Sequence, residues 1–448
     1  MSSNVLDMPS VTRSQKTKVI LALAIPAMVE NFFQTVVGFV DTLFVSQLGL
    51  IEVAAVGVTN AILAVYIAVF MALGVGASSL IAKSVGAGDF ERAGDIAKQS
   101  TWVASMAGIL FGVVTLFFAE PLLRMMGAEP NVLAEGAKYF RIAAIPSIFI
   151  SLMTVFGSIL RAAGDTKTPM KVGLWINILH IPLDYVLIFG ILGSGGFGIA
   201  GAAWATTIVR IIGTIALYLY IRKTKLSFPV TRSFIFNREY ALPLLKLSTP
   251  AAIERLIMRF GQVLYFGLIV RIGTETYAAH TIAGNIEVFS YMPGYGLAVA
   301  ATTLVGQHLG ANRQKEAYQF GKLTTVIAVI FMSFIGVLLF FLSPIAASWF
   351  ADETDVRNMV VTALRIDAFA QPFLAIGLVL AGALQGAGDT RSPMYSTTIG
   401  TWFIRVIGVY VLGISMGLGI AGVWLSIAID LVIRALFLMY RFKLKLGQ

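Results

Sequence analysis

The sequence predicts an all-α polytopic membrane protein of twelve transmembrane helices in two pseudo-symmetric six-helix bundles. Three observations predict it. Apolar residues fill 58% of the 448 positions and charged residues only 12%, about half the charge of a soluble domain. Apolar runs of about 20 residues, enough to cross ~30 Å of hydrocarbon, recur along the whole chain. The chain also repeats itself: "LRAAGDTKTPM" from Leu160 returns as "LQGAGDTRSPM" from Leu384, 224 residues later.

The twelve runs lie near 19–45, 53–82, 96–119, 137–160, 169–191, 197–221, 243–270, 277–306, 321–346, 358–384, 393–416 and 419–440. The first follows Arg13, Lys16 and Lys18. It is too long for a signal-peptide core and has no small-residue cleavage site, so it reads as a retained span. Basic residues crowd the N-terminus, the even-numbered loops and the C-terminus. The odd-numbered loops carry few, among them Arg124, Lys138, Arg271 and Arg357. The positive-inside rule then puts both termini in the cytoplasm of a cell inner or plasma membrane. The expected organisation is a cytoplasmic segment 1–18, an N-terminal lobe 19–222, a basic linker 223–242 and a C-terminal lobe 243–448.

The repeat extends beyond its clearest motif. Pro26, Ala27 and Glu30 answer to Pro250, Ala251 and Glu254, and "ASSLIAKSVGAG" from Ala77 to "ATTLVGQHLGAN" from Ala301. Six spans per half is an even number, so both halves enter the membrane from the same side. Repeats of this kind mark transporters, with the substrate site where the halves meet near the midplane. Locally, the GDT-P motif joins spans four and five, and ten and eleven. Gly164 and Gly388 are expected to end one helix in a left-handed conformation. Thr168-Pro169 and Ser392-Pro393 suit the cap and first position of the next. Pro26 and Pro250 mark expected bends.

The paired G-D-T-x-x-P loops, "PAMVENFFQTVVGFVDTLFVSQLG" and "IPLDYVLIFG" resemble the multidrug and toxic compound extrusion (MATE) family, and the first-span aspartate its DinF-like branch. The resemblance implies two six-helix lobes around a central cavity. It also implies export of cationic and amphipathic small molecules against inward H⁺ or Na⁺, with Asp41 as protonation site and Asp184 beside it. In related archaeal members an Asn stands one turn before the second Asp; here it is His180. A neutral imidazole offers at most one ring nitrogen as acceptor, which favours H⁺ over Na⁺.

The residues themselves support an acidic pocket. Charge inside a bilayer costs several kcal/mol, so Glu30, Asp41, Asp184, Glu254, Glu287, Asp367 and Asp430 each need a reason. Asp41 on span one, Asp184 on span five, His180 one turn before it and Thr206 and Thr207 on span six fall at similar depth. Two carboxylates in a low-dielectric pocket do not both ionise at small cost, so proton and cationic cargo compete for them. Asp41, Asp184 and His180 are the candidate proton-coupling residues. Asp41, Met28, Phe33, Met153, Phe156, Met258 and Met292 are candidate cargo contacts, because Met deforms and aromatic faces accept cations. If Na⁺ drives transport, Asp41, Asp184 and Thr206, or Glu254 and Asp367 in the second half, are the candidate ligands. Asp430 and Arg434, four apart, should pair on one helix, whereas Arg365 and Asp367 should have separate partners. Glu30 and Glu254 either polarise the cavity floor or bond backbone freed beside the prolines.

Other classes fit less well. There is no Cys and there are three scattered His, so a structural metal site is not expected, nor any cofactor. No nucleophile–base pair or phosphate loop suggests an enzyme. The net charge of +10 fits an anionic membrane face rather than nucleic acid. A lipid-linked-precursor flippase of the same superfamily is the rival, since Arg141, Arg210, Arg255, Arg259 and Arg405 lie in spans. A monomer is expected.

Overall fold

A computed structural model describes residues 12–190, 195–227 and 236–447. Parts of two expected segments, 1–11 of the N-terminal piece and 228–235 of the linker, lie outside the described residues. Hydrocarbon offers no hydrogen bonds, so each apolar run must satisfy its own backbone, which a helix does. Among the described residues the chain forms thirteen α-helices: α1 Arg13–Ser46, α2 Leu50–Gly86, α3 Phe90–Met125, α4 Pro130–Ala144, α5 Ser147–Ala162, α6 Lys167–Phe189, α7 Ile199–Ile221, α8 Arg238–Ile272, α9 Thr274–Gly310, α10 Gln314–Phe350, α11 Thr354–Gly386, α12 Arg391–Thr398 and α13 Gly419–Leu446. Beyond Thr398 the α12 helix widens into π-helical turns over Ile399–Val406 and Val409–Ser415.

Among the described residues ten helices are long and apolar enough to cross a membrane, α12 counted with its π-helical continuation to Ser415, or eleven when α4 and α5 count as one bent span. The expected twelve differ in two places. The fourth run breaks by 48° between α4 and α5, where Pro146 cannot donate a backbone hydrogen bond. The seventh, α8, is 35 residues long but carries Lys246, Glu254, Arg255 and Arg259 through its apolar stretch. Its length suits a span while its composition does not.

The GDT-P loops turn as expected, with Gly164 at φ +90° and Gly388 at φ +81°. The caps differ from expectation. The next helices begin at Lys167 and Arg391, ahead of the prolines. Asp165 accepts from the Thr168 amide at 3.0 Å and hydroxyl at 2.6 Å. Asp389 accepts likewise from Ser392 at 3.0 and 2.7 Å. A carboxylate reaches the orphan amides of a helix start more strongly than a hydroxyl does, so the aspartate takes the capping role.

Two compact units form. The N-lobe holds Val29–Ser84 and Asp89–Ala252; the C-lobe holds the chain up to Met28, Val85–Gly88 and Ile253 onward. The unit boundaries inside α1 and α8, at Met28/Val29 and Ala252/Ile253, are 224 residues apart and each follows a repeat proline. The N-lobe core gathers Phe70, Leu123 and Phe140. In the C-lobe one core surrounds Phe320 and Met332, with Ile20 and Ala24 of α1 built into it, and a second surrounds Trp424. Within the N-lobe, α3 reaches the α4–α5 bend because Gly108 and Gly112 have no side chain; a methyl at Gly112 would overlap the Ile145 carbonyl oxygen.

Gly112→Val should therefore lower stability by about 1–3 kcal/mol, read as a lower melting temperature in detergent. A pH dependence follows from Asp389. Burial pushes its carboxyl up, but the Ser392 hydroxyl and amide, with Lys445 and Arg441, hold it below the usual carboxylate range. Its stabilisation is complete above the unfolded value of about 4 and fades as pH falls through the lower folded value. Asp389→Asn should cost about 1–2 kcal/mol at neutral pH, and the melting gap from wild type should close as acid is added.

Candidate functional site

In the N-lobe, α1, α6 and α7 bring Asp41, His180, Asp184 and Thr206 together. One ligand atom from each of Asp41, His180 and Asp184 lies within 4.8 Å of the others. Asp184 is 1% exposed and His180 8%. The Asp41 and Asp184 carboxyl groups therefore stand next to each other in one buried pocket. One Oδ1 of each has no hydrogen-bond partner. Two carboxylates this close repel when both are ionised, so a proton or a cation between them relieves the pair.

The rest of the pocket follows from helix spacing. His180 precedes Asp184 by one turn and shares its face; Pro182 lies between them inside α6. The Thr206 hydroxyl lies 3.3 Å from His180 Nε2 and donates to the Ala202 carbonyl at 3.0 Å. With that single proton spent, Nε2–H is the donor to Thr206, and Nδ1 keeps the imidazole lone pair. Thr207 does not join them: its hydroxyl donates to the Ile142 carbonyl at 3.1 Å. Two groups not singled out from sequence for this pocket do join it. Arg210, one turn beyond Thr206, acts on both Asp41 and His180, and Tyr139 of α4 feels Asp41, Arg210 and Asp184.

The C-lobe arranges its polar groups differently. Asp367 on α11 is 1% exposed and accepts from Gln371 Nε2 at 2.6 Å, and that nitrogen also meets Ser290 Oγ at 3.0 Å. Its charged neighbour is Glu287 on α9, which sequence spacing did not connect to it. Glu254, the other expected Na⁺ ligand, stands in a separate cluster and accepts from the Thr397 hydroxyl at 3.1 Å. Glu254 and Asp367 thus do not form one site. Arg365 lies over the Phe340 ring at 5.1 Å, apart from Asp367 as expected.

Asp430 pairs with Arg434 as expected and also with Arg405, at 2.8 Å, offered by the first π-helical stretch. Glu30 corrects both expectations for it. It pairs with Arg161 at 3.1 Å, across the space left by Gly173, whose added methyl would sit 3.4 Å from the Glu30 chain. In the second repeat Gln385 stands in place of Arg161 and Thr397 in place of Gly173. Glu254 therefore takes a hydroxyl where Glu30 takes a guanidinium.

The MatE family model matches the chain twice, over residues 26–186 and 250–411. The chain belongs to the MATE family. It is a multi-pass membrane transporter, not an enzyme. The chain is 30% identical over 419 residues to a protein of Thermotoga maritima named probable multidrug resistance protein NorM, covering 93% of this chain and 90% of that one. Among solved structures it resembles an outward-facing multidrug resistance MATE transporter of the MOP superfamily, with TM-score 0.90, 26% identity and 97% of each chain covered. It also resembles a MOP-superfamily transporter from Pyrococcus furiosus, described as having a binding pocket of reversed polarity suggesting a different function, with TM-score 0.90, 25% identity and 96% of each chain covered.

In this MATE fold several expected cargo contacts serve in packing. Phe156 is 3% exposed and lies against Tyr218, with ring centres 5.9 Å apart. Met292 is 6% exposed. Met153 fills the space beside Gly213, and Met28 that beside Gly296. Phe33 is exposed and meets Phe32 edge-on; Met258 is half-buried. The Arg405–Asp430–Arg434 triad gives a direct stability test. Asp430→Asn should strand two guanidiniums and cost about 3–5 kcal/mol, read as a loss of folded yield and a lower melting temperature. Asp430→Glu should recover part of both.

Proposed function

We propose that this MATE transporter exports cationic and amphipathic small molecules in exchange for inward H⁺, with Asp41 and Asp184 holding either the proton or the cargo. The observation that carries the reading is the approach of two carboxyl groups inside the N-lobe, with ligand atoms of Asp41, His180 and Asp184 within 4.8 Å of one another; two acids so close in a low-dielectric pocket do not both ionise at small cost. An arriving cation favours the doubly ionised pair and displaces the proton, and each ligand weakens the other's binding by the same factor. His180 and Thr206 fix the side of the pocket that Asp184 faces. Exchange needs only two orientations of the transporter that proton and cargo bias differently. One proton entering down ~100 mV is worth about 2.3 kcal/mol when the cargo is neutral; a one-for-one exchange with a monovalent cation moves no net charge and draws on the pH gradient alone.

The printed names of the NorM relative and the outward-facing MATE structure support multidrug cargo. The first-span aspartate supports placement in the DinF-like branch, and the distribution of basic loops supports a plasma-membrane protein with cytoplasmic termini. The flippase reading loses support because three of the five candidate headgroup-binding arginines have partners of their own. Arg141 pairs with Glu120 at 3.1 Å, Arg259 meets Gln262 at 3.3 Å and Arg405 pairs with Asp430. One observation favours a second coupling ion: the Asp41, His180 and Asp184 ligand atoms lie close enough together to hold Na⁺.

Purified protein in liposomes separates the two. Dye export should follow an imposed pH gradient and be lost in Asp41→Asn; pH-driven flux that survives this change removes Asp41 from the mechanism. Export driven by a Na⁺ gradient alone assigns sodium as the coupling ion instead. His180→Asn should then show whether the imidazole excludes sodium, through the appearance of Na⁺-driven flux.

A further inference from the structure

We propose that Arg210 sets the net charge of the N-lobe pocket at minus one and thereby selects singly charged cargo over doubly charged cargo. The inference rests on the reading that Asp41 and Asp184 hold the cargo. Arg210 follows Thr206 by one helical turn and so lies on the α7 face that meets His180. Its Nη1 is shut off from solvent and has no hydrogen-bond partner, and the same holds for Oδ1 of Asp41 and of Asp184. Tyr139 lies within the field of all three charges. The guanidinium is therefore a fixed cation with one nitrogen uncommitted, in the same pocket as two carboxylates that each keep an oxygen uncommitted.

The charge count gives the function. Two ionised carboxylates carry minus two, and a permanently charged guanidinium reduces that to minus one. One proton or one monovalent organic cation then neutralises the pocket, so the two are interchangeable. A dication would leave a surplus positive charge facing Arg210 in a low-dielectric site, where like charges at several ångströms repel strongly. Arg210 thus works through the carboxylates as a specificity-determining residue, and no contact with the cargo is required of it. The second repeat supplies no copy of this device: Tyr265 stands in place of Asp41 and Gly408 in place of Asp184.

Ethidium and propidium test this, since they share a ring system and carry one and two positive charges. Binding of each dye to purified detergent-solubilised protein is followed by fluorescence. Wild type should prefer ethidium. Arg210→Gln, with the pocket at minus two, should shift the ratio toward propidium by about tenfold or more. Arg210→Lys keeps the charge and should keep the wild-type preference. The double change Arg210→Gln with Asp184→Asn returns the count to minus one and should restore the preference for ethidium. It keeps the wild-type net charge, so it serves where the single change fails to fold. A wild type that binds both dyes alike, an Arg210→Gln ratio equal to wild type, or a double variant that prefers propidium overturns the proposal. Asp41→Asn protein that still binds ethidium at wild-type strength overturns the underlying reading of the site instead.

Discussion

A charge in hydrocarbon must meet an opposite charge, a hydrogen-bond donor or a proton, because water is absent to solvate it. The polar interior of both lobes follows from that constraint. Glu30 takes Arg161, Glu254 takes Thr397, and Asp430 takes Arg405 and Arg434. Arg365 uses an aromatic face. These solutions are static, since each partner is covalently part of the protein. Asp41 beside Asp184 is a different kind of solution. Two acids of one sign share a buried place with a single fixed cation, Arg210, and in the proposed exchange a mobile ion balances the remainder. The same constraint that makes Asp430 structural is what the proposed exchange uses at Asp41 and Asp184.

The repeat provides one backbone twice, and the differences between its copies provide the chemistry. Gly164 and Gly388 turn alike, and Asp165 and Asp389 cap alike. These positions serve folding, which both halves need equally. Where the copies diverge, the partners change. Arg161 and Gly173 give way to Gln385 and Thr397, and the glutamate between them trades an ion pair for a hydroxyl. The N-lobe acids give way to Tyr265 and Gly408, and Arg405 lies 5.5 Å from the Tyr265 ring. A fixed cation thus stands near the second lobe's counterpart of Asp41, as Arg210 does near Asp41 itself, but without the paired acids. In the C-lobe the like-charged pair is instead Glu287 with Asp367, on α9 and α11.

Much of this was legible in the sequence, for identifiable reasons. Spans show because the bilayer imposes a length and a composition. His180, Asp184 and Thr206 could be brought together on paper because helix spacing and depth are both read from the chain. The convergence of Glu287 and Asp367 could not, since nothing local links positions 80 residues apart on two helices. Phe156 and Met292 read as cargo contacts because packing and binding use the same apolar side chains, and only the fold shows which neighbours they meet. The cap at Asp165 was missed because Thr168-Pro169 carries its own start signal. The carboxylate wins by reaching the same amide with a full charge.

The placement of Asp41 on α1 ties its chemistry to the architecture. Lys16 of that helix reaches Gln319 at 2.5 Å, and Ile20 and Ala24 are buried in the C-lobe core. The segment from Val29 onward belongs to the N-lobe and carries Asp41. Pro26 lies just before the change, where its ring interrupts the backbone hydrogen-bond ladder and makes bending less costly than elsewhere in the helix. One continuous helix thus has its foot in one core and its acid in the pocket of the other lobe. A proton or cation that alters how Asp41 is held acts on a rod whose weakest point lies between the two attachments. The repeat applies the same construction to α8 with Pro250, but α8 carries Tyr265 where α1 carries Asp41. Of the two repeat-related helices, only α1 carries an aspartate at this position, so in the proposed exchange α1 is the one that joins a repeat proline to the pocket's acid.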